Sequence, residues 1–249
     1  MKKVIAMFLL AAAATPLIAQ EKTAKPGDLT DPIEILKKAD DATKALESVK
    51  YVAATEGVEA NAPKMPKVEG TVVLSGWNNG APQKWFYNIT VQAPGSTEKK
   101  EVVAGTDGET YFVIDKQNKK VYADIDPAVL GSTGRMIRGI TMLEYVHPTP
   151  FSDELNGEKQ ELVGSATIGN EECYEIFVKY KGPAQEAHWF FSKKDFLPRQ
   201  AIRLFQNPAG ERGGTKLTVT LLTPDPKLDE AAFKLVVPDG FEKIDDFAP

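Results

Sequence analysis

Cysteine and histidine are scarce in this sequence of 249 residues, which has one cysteine, Cys173, and two histidines, His147 and His188. A single cysteine leaves no internal disulfide, so a hydrophobic core must stabilise the fold. Cys173 lies in the strand-like stretch "EECYEIFVKY", where we expect a buried, unreactive thiol. Neither histidine has the spacing of a zinc site, and one cysteine cannot complete a Cys/His set. We therefore expect no metal and no cofactor.

The motifs of several large enzyme classes are also missing. There is no Gly-x-Ser-x-Gly elbow, no Walker loop and no dinucleotide fingerprint, and a hairpin turn explains the glycine-rich "GERGG" between two strand patterns. The carboxylates fall on predicted helix surfaces, turns and the chain end, where solvation accounts for them. We expect a protein that is not an enzyme. A hydrolase with an acid/base pair dispersed in the sequence stays open as an alternative.

The sequence has no excess of positive charge, since 30 Lys and Arg residues stand against 35 Asp and Glu residues, for a formal net charge of −5. The basic residues are scattered among acidic ones and form no stripe. Binding of nucleic acid needs a basic surface to neutralise phosphates, and this pattern lacks one. We expect no nucleic-acid partner.

Only the N-terminus has a long apolar run. Lys2 and Lys3 precede an unbroken apolar run from Val4 to Ala14, and Ala19 offers a cleavage site. The run has about half of the roughly 20 residues that a membrane span needs, so it predicts a secretory signal peptide. Because no cysteine follows it, we expect no lipid anchor. The signal peptide predicts an exported, periplasmic protein, which we expect to be soluble and monomeric. The predicted organisation is a signal peptide at 1–19, a flexible lead-in at 20–30 and a single domain at 31–249.

The clearest helix pattern follows the lead-in, in "DPIEILKKADDATKALESV". Asp31 is placed to cap the helix, Pro32 suits its first position, and Glu34 stands three residues after the cap. Its apolar residues have helical spacing: Ile33, Leu36, Ala39, Ala42, Leu46 and Val49. The pattern predicts an amphipathic helix with one face to bury.

After Val49 the apolar period changes to two, which is typical of strands. Asp107-Gly108 and Asn118-Lys119 suit hairpin turns, and a helical or irregular stretch at 126–156 interrupts the strands. The predicted fold class is α+β: a large curved antiparallel sheet of about ten or eleven strands, an unclosed half-barrel with helices covering its concave face. A sheet of that size curls, and its concave side must be filled.

The stretch "RMIRGITMLEYVHP" at 135–148 is unusual because its apolar residues point in nearly every helical direction. A helix that only covers a core has one apolar stripe and one polar face. Several strands also carry large apolar residues at both odd and even positions, and so toward both faces of the sheet, as in "YFVI" and "HWFF". Two interpretations are open: a core packed with its own side chains, or an apolar cavity between the sheet and a helical lid.

Three stretches resemble a known family. They are "GTDGETYFVIDKQNKKVYADID", "FFSKKDFLPRQAIRLFQNPAG" and "LDEAAFKLVVPDGFEKID". These turns and strand ends, together with the order of helix, meander, helical interruption and second meander, are similar to the periplasmic lipoprotein carriers of the LolA/LolB type. Their relatives include the mycobacterial lipid-binding lipoproteins and the sensor RseB. The resemblance covers roughly residues 31–245.

The resemblance implies an apolar concave side covered by helices that move aside for acyl chains. The implied lipid-binding residues are Val72, Leu74, Trp85, Tyr87, Ile89, Val91, Phe112, Ile114, Trp189 and Phe191 on strands, with Met136, Ile140 and Leu143 on the lid. The carriers proper hold the lid closed with an arginine on an early strand. This chain has no arginine before Arg135, and Arg135 and Arg138 lie on the implied lid itself, so any latch is built differently.

The function implied is a carrier or sensor that binds a lipid or the acyl chains of a lipoprotein without chemistry. An alternative is an envelope-stress sensing module, in which the sheet is filled by its own side chains and an edge or loop binds a protein partner. An apolar cavity of several hundred Å³ favours the first hypothesis, and a dry, filled core favours the second.

Overall fold

The computed structural model describes residues 27–182 and 185–244. The predicted signal peptide and most of the predicted lead-in lie outside these ranges. None of the helices within them has the length and the hydrophobicity to cross a bilayer.

Within the described ranges, twelve strands form one open sheet. They are β1 (Ser48–Glu59), β2 (Lys67–Asn78), β3 (Ala81–Gln92), β4 (Lys99–Thr106), β5 (Tyr111–Asp115), β6 (Lys120–Asp124), β7 (Lys159–Ile168), β8 (Glu171–Lys179), β9 (Glu186–Ser192), β10 (Pro198–Gln206), β11 (Arg212–Pro224) and β12 (Glu242–Ile244). The spatial order is β12-β6-β5-β4-β3-β2-β1-β11-β10-β9-β8-β7. All neighbours are antiparallel except β12 and β6, which are parallel. The predicted fold class is confirmed, with β12 bringing the strands to twelve.

The helices lie before the sheet and between its two halves. They are α1 (Pro32–Lys44), α2 (Gly131–Ile140) and α3 (Ser152–Leu155), with 3₁₀ helices η1 (Pro127–Leu130), η2 (Leu143–Val146) and η3 (Glu230–Phe233). As predicted, Asp31 caps α1: its carboxylate accepts a hydrogen bond from the Ile33 N–H at 2.9 Å. The helix ends earlier than predicted, at Lys44, because Val49 already pairs with Leu74 in the sheet.

The two halves of the sheet meet where β1 pairs with β11, with Ala54 opposite Thr218. The first half is a meander from β1 to β6, and the second is a meander from β7 to β11. The helical interruption between them therefore returns across one face of the sheet. We call this face, which carries the main hydrophobic core, the covered face.

The main core holds side chains from α1, α2, η2 and most of the strands. A smaller second core lies on the opposite, outer face of β4 to β6, where Leu235 and Phe241 of the C-terminal segment pack against the strands. Cys173 is fully buried, as predicted, and burial raises the pKa of its thiol to about 12. A buried thiol of this kind stays protonated and unreactive.

Candidate functional site

The segment that covers the sheet beside the candidate site, residues 131–146, is a helix followed by a 3₁₀ turn. We call it the cover. It consists of α2 and η2, and the chain changes direction at Thr141 and Met142, both in extended conformation. Residues on the two sides of this break therefore point in different directions. The break explains why the apolar residues of the stretch fit no single helical stripe.

Side chains of the sheet hold the C-terminal part of the cover in place. The Tyr51 hydroxyl accepts a hydrogen bond from the Met142 N–H at 3.1 Å and donates one to the Ile140 carbonyl at 3.4 Å. The Trp77 indole donates to the Tyr145 carbonyl at 2.8 Å. The bonds of Tyr51 satisfy backbone groups at the break between α2 and η2, where helical hydrogen bonding stops, and the bond of Trp77 satisfies a carbonyl of η2.

Tyr87 adds another link between β3 and the end of α2. Its hydroxyl lies 2.8 Å from the Thr141 Oγ1. The Thr141 hydroxyl donates its own proton to the Ile137 carbonyl at 2.7 Å, so the Tyr87 hydroxyl is the donor in the link to the sheet. The cover is therefore tied to the sheet most closely around residues 140–145.

An apolar cleft of about 510 Å³ lies between the cover and strands β2 and β3. This volume is within the usual range of ligand-binding pockets. Its lining is Leu74, Pro82, Trp85, Tyr87, Gly134, Ile137, Arg138, Thr141, Leu143, Val146 and His147. No carboxylate contributes to this lining.

A second cleft, of about 430 Å³, lies on the other side of η2 and shares Leu143 and His147 with the first. Its lining is acidic: Glu144, Asp153, Glu154 and Glu186 line it together with Arg203. We call the two spaces the apolar cleft and the acidic cleft. They differ in charge although only the single turn of η2 separates them.

A buried polar network borders the acidic cleft. The Arg203 guanidinium donates to the Glu144 carboxylate at 2.6 Å and stacks over the Trp189 ring at 4.8 Å. The Tyr180 hydroxyl donates to the Glu154 carboxylate at 2.6 Å and accepts from the Trp189 indole at 3.2 Å. The pKa of Glu154 is raised to about 7, chiefly by burial and in part by the nearby Glu144 charge, whereas the hydrogen bond from Tyr180 opposes the rise.

Four of the predicted lipid-binding residues line the apolar cleft: Leu74, Trp85, Tyr87 and Leu143. Five others do not line the cleft: Val72, Ile89, Val91 and Ile140 lie in the main core, and the partly buried Met136 packs against it. These side chains form the packed base around which the cleft is built. The predicted set is thus gathered in and around the apolar cleft, with four exceptions.

Trp189 and Phe191 are two of these exceptions, because they lie on the covered face but under a different element. Both rings pack edge-on against Phe151, with centroids 5.2 and 5.1 Å away, and all three side chains are fully buried. This part of the core is filled by aromatic side chains from the chain itself. Neither residue lines the apolar cleft.

Phe112 and Ile114 are the other exceptions, and the structure corrects the expectation that they line the concave side. Both lie in the second core on the outer face, whereas Val113 between them belongs to the main core. Successive residues of a strand point to opposite faces, so the lining position in β5 is Val113. Because β5 has apolar residues at successive positions, its sequence did not show which of them face the covered side.

Other residues of the apolar cleft were not in the predicted set, including Pro82, Ile137, Arg138, Thr141 and Val146. Four of them, all except Pro82, lie in the stretch at 135–148 whose apolar residues point in nearly every helical direction. That unusual pattern was the sequence signal for these cleft residues. Pro82 had no signal of its own, because it is the second residue of β3, close to the turn that joins β2 to β3.

The two histidines lie in different surroundings. His147 lines both clefts, and its Nδ1 lies 3.1 Å from the Thr149 carbonyl oxygen. His188 lies 2.8 Å from the Glu175 carboxylate, and its ring contacts Phe177. Strand alternation places His188 on the outer face, since its neighbours Ala187 and Trp189 are in the main core. The His188–Glu175 pair therefore belongs to neither cleft.

A scan against protein-family models found no match, and a search of the curated proteins also found none. Among solved structures the chain resembles MucB, with a TM-score of 0.50 and 13% identity over 83% of this chain and 63% of MucB. It also resembles LprF from Mycobacterium bovis, with a TM-score of 0.50 and 13% identity over 86% of this chain and 99% of LprF. The complex of MucA and MucB from Pseudomonas aeruginosa matches with a TM-score of 0.46 and 13% identity, over 83% of this chain and 61% of the solved one.

The chain thus spans less than two thirds of MucB and nearly all of LprF. At 13% identity, the likeness shows the fold alone. The sheet topology and these two structures agree with the fold predicted from the three sequence stretches. The chain has the open-sheet fold of MucB and LprF, in agreement with the fold that the resemblance to the LolA/LolB-type carriers predicted.

Proposed function

We propose that this protein binds a lipid, or the acyl chains of a lipoprotein, in the apolar cleft and acts as an exported carrier or sensor without chemistry. The observation that carries the proposal is the cleft itself: about 510 Å³ of space between the cover and the sheet, lined mainly by apolar side chains. A pocket of this kind, with few polar groups, is the usual form of a site for an apolar ligand.

The energetics of acyl-chain binding suit reversible transfer. Burying one methylene group contributes about 0.8 kcal/mol, so a chain of about 16 carbons gives on the order of 10 kcal/mol. Loss of ligand freedom and displacement of the cover subtract several kcal/mol. The net binding free energy that is left corresponds to reversible binding of an acyl chain.

The way in which the cover is attached supports this use. Its C-terminal part is tied to the sheet through Tyr51, Tyr87 and Trp77, whereas Gly131 and Arg135 in the N-terminal part of α2 are exposed. Movement of α2 about the break at Thr141 would widen the apolar cleft without breaking the ties made by Tyr51 and Trp77 to residues 142 and 145. Hinges of this kind often lie at the end of an element.

A second candidate function, binding of a protein partner for envelope sensing, is favoured by the filled core under Phe151. The stacked rings of Trp189 and Phe191 occupy part of the covered face, which is therefore closed to a ligand. A partner would then bind a surface or an edge of the sheet, and the apolar cleft would be a packing defect beside the cover.

Native mass spectrometry with lipid extraction, on mature protein purified from its exported compartment, tests the proposal. Leu143→Asp places a charge in the apolar cleft, and Leu221→Asp is the matched control because Leu221 is 68% exposed and lies away from both clefts. We expect a co-purifying lipid that is lost in Leu143→Asp and kept in Leu221→Asp, with circular dichroism unchanged in both.

The opposite result would be protein that is free of lipid and also takes up no fluorescent fatty acid. It would overturn the lipid-binding proposal and favour the partner-binding function. Loss of lipid in both variants would show that the effect of Leu143→Asp is not specific to the cleft.

A further inference from the structure

The charge of the apolar cleft differs from that of the chain as a whole. The sequence has a formal net charge of −5, yet the only charged side chain in the lining is Arg138, and the only other ionisable groups there are His147 and the Tyr87 phenol. Arg138 is exposed on α2 and lies at the boundary between the apolar lining and solvent. An apolar cleft with a single cation at its mouth suits a ligand that has an apolar part and an anionic part.

Arg138 also differs from the arginines of the sheet in its partners. Arg199, Arg203 and Arg212 each form an ion pair with at least one carboxylate. Within the described residues, the side chains of Arg135 and Arg138 on α2 have no ion pair and no hydrogen bond. The guanidinium of Arg138 therefore has all its donors available to a ligand, and its planar fork matches a carboxylate or a phosphate.

The acidic cleft on the other side of η2 sharpens the selection. Glu144, Asp153, Glu154 and Glu186 contribute to its lining, and its one arginine already binds Glu144. An anionic group is repelled from that cleft and attracted to Arg138, although Leu143 and His147 border both spaces. The two clefts thus give an anionic headgroup only one favourable position.

We propose that the ligand of the apolar cleft is an anionic amphiphile, whose carboxylate or phosphate headgroup binds the Arg138 guanidinium. Its chain lies against Trp85, Ile137 and Val146. This inference rests on the proposed lipid-binding function and adds the charge of the ligand and the residue that recognises it. Arg138 in the last turn of α2 also complements the helix dipole, but that role is independent of the cleft and gives no ligand selectivity.

Displacement of a bound fluorescent fatty acid by three surfactants of equal chain length tests the proposal. The three are dodecanoate, dodecyltrimethylammonium and, as the uncharged reference, dodecanol; a fourth competitor, dodecyl phosphate, distinguishes a phosphate from a carboxylate headgroup. We expect both anions to bind at least about tenfold more tightly than the cation, as for one charge-assisted hydrogen-bonded pair. The preference should weaken as salt is raised.

Arg138→Glu should remove or reverse the preference for anions, whereas Arg135→Glu should keep it. Both arginines are exposed on the same helix, and the two substitutions change the net charge equally. Only Arg138 lines the cleft, so a difference between the two variants reports on the cleft. Equal affinity for anion and cation in the unmodified protein would overturn this inference alone, as would equal effects of the two variants. Failure of every amphiphile to bind would overturn the proposed function and this inference with it.

Discussion

Arg203 on β10 and Glu144 on η2 form a partly buried ion pair that joins the sheet to the cover, with 2.6 Å between the Arg203 Nη2 and the Glu144 Oε1. The Glu144 side chain is only 8% exposed, and its second oxygen has no hydrogen-bond partner in the described part of the chain. The lipoprotein carriers that the sequence resembles use an arginine on an early strand as the latch, and the lack of such an arginine predicted that any latch here is built differently. Here the connecting arginine comes from a strand in the second half of the sheet.

We expect Arg203→Met to lower the free energy of unfolding by about 3 kcal/mol, because it leaves the Glu144 carboxylate buried without a countercharge. Urea unfolding followed by circular dichroism measures the change. Arg212→Met is the matched control, since Arg212 is 50% exposed and pairs with carboxylates at the surface. We expect that variant to lose less than about 1 kcal/mol.

The double variant Arg203→Met with Glu144→Met separates the ion pair from the loss of arginine packing. Removal of both charges leaves no uncompensated carboxylate, so we expect the double variant to be more stable than Arg203→Met alone. Stability equal to the sum of the two single losses would contradict a coupling between these residues.

Local signals in the sequence predicted much of this fold. Asp31 and Pro32 identified the start of α1, and the turn at Asp107-Gly108 identified the hairpin between β4 and β5. These features depend on residues a few positions apart, and the physical chemistry of caps and turns determines them. The family resemblance then implied that the strands form one open, curved sheet with helices on its concave side.

The rest depended on contacts between distant residues. The face on which Phe112 lies is determined by Leu235 and Phe241 of the second core, which are more than a hundred residues away in the chain. The pairing of Arg203 with Glu144 likewise required the cover to return across β10. Alternation within one strand carries no information about either contact, since it gives the period and not the face.

The free energy of unfolding should fall between about pH 4.5 and 7 because of Glu154. Burial raises the pKa of its carboxyl from an ordinary value of 4.5 to about 7, so in this range the folded protein keeps a proton that the unfolded chain releases. The stabilisation is complete below the lower value and is lost as pH rises through the higher one. The whole change amounts to roughly 3 kcal/mol.

Glu154→Gln should remove this part of the pH dependence and be more stable than the unmodified protein above pH 7, as urea midpoints across the range would show. A glutamine carbonyl still accepts the hydrogen bond from Tyr180. Glu158→Gln, at an exposed ion pair with Lys179, is the control and should leave the profile unchanged. Parallel profiles for all three proteins would contradict the assignment.

Gly80→Ala should destabilise the protein more than Gly95→Ala does. Both glycines have positive φ, 79° and 71°, so both variants incur similar backbone strain of about 1 kcal/mol. A Cβ at Gly80 would overlap the backbone of Pro148, just after the cover, whereas a Cβ at Gly95 meets open space. We expect Gly80→Ala to lose about 1–2 kcal/mol more in thermal or urea unfolding, as for overpacking. Equal losses would mean that Pro148 moves freely away from the turn between β2 and β3.

Tyr51→Phe and Tyr87→Phe remove one hydroxyl each from beneath the cover, and we expect the first to be the more harmful. Without the Tyr51 hydroxyl, the buried Met142 N–H has lost its acceptor, and an unsatisfied buried donor costs about 1–3 kcal/mol.

Without the Tyr87 hydroxyl, Thr141 still donates to the Ile137 carbonyl, so only the net value of one hydrogen bond is lost, about 1 kcal/mol. Urea unfolding ranks the two variants, and amide exchange at Met142 identifies the cause. Exchange there should accelerate in Tyr51→Phe and stay slow in Tyr87→Phe, because only Tyr51 accepts from that N–H. The reverse order of stability would show that Tyr87, and not Tyr51, is the stronger connection between the sheet and the cover.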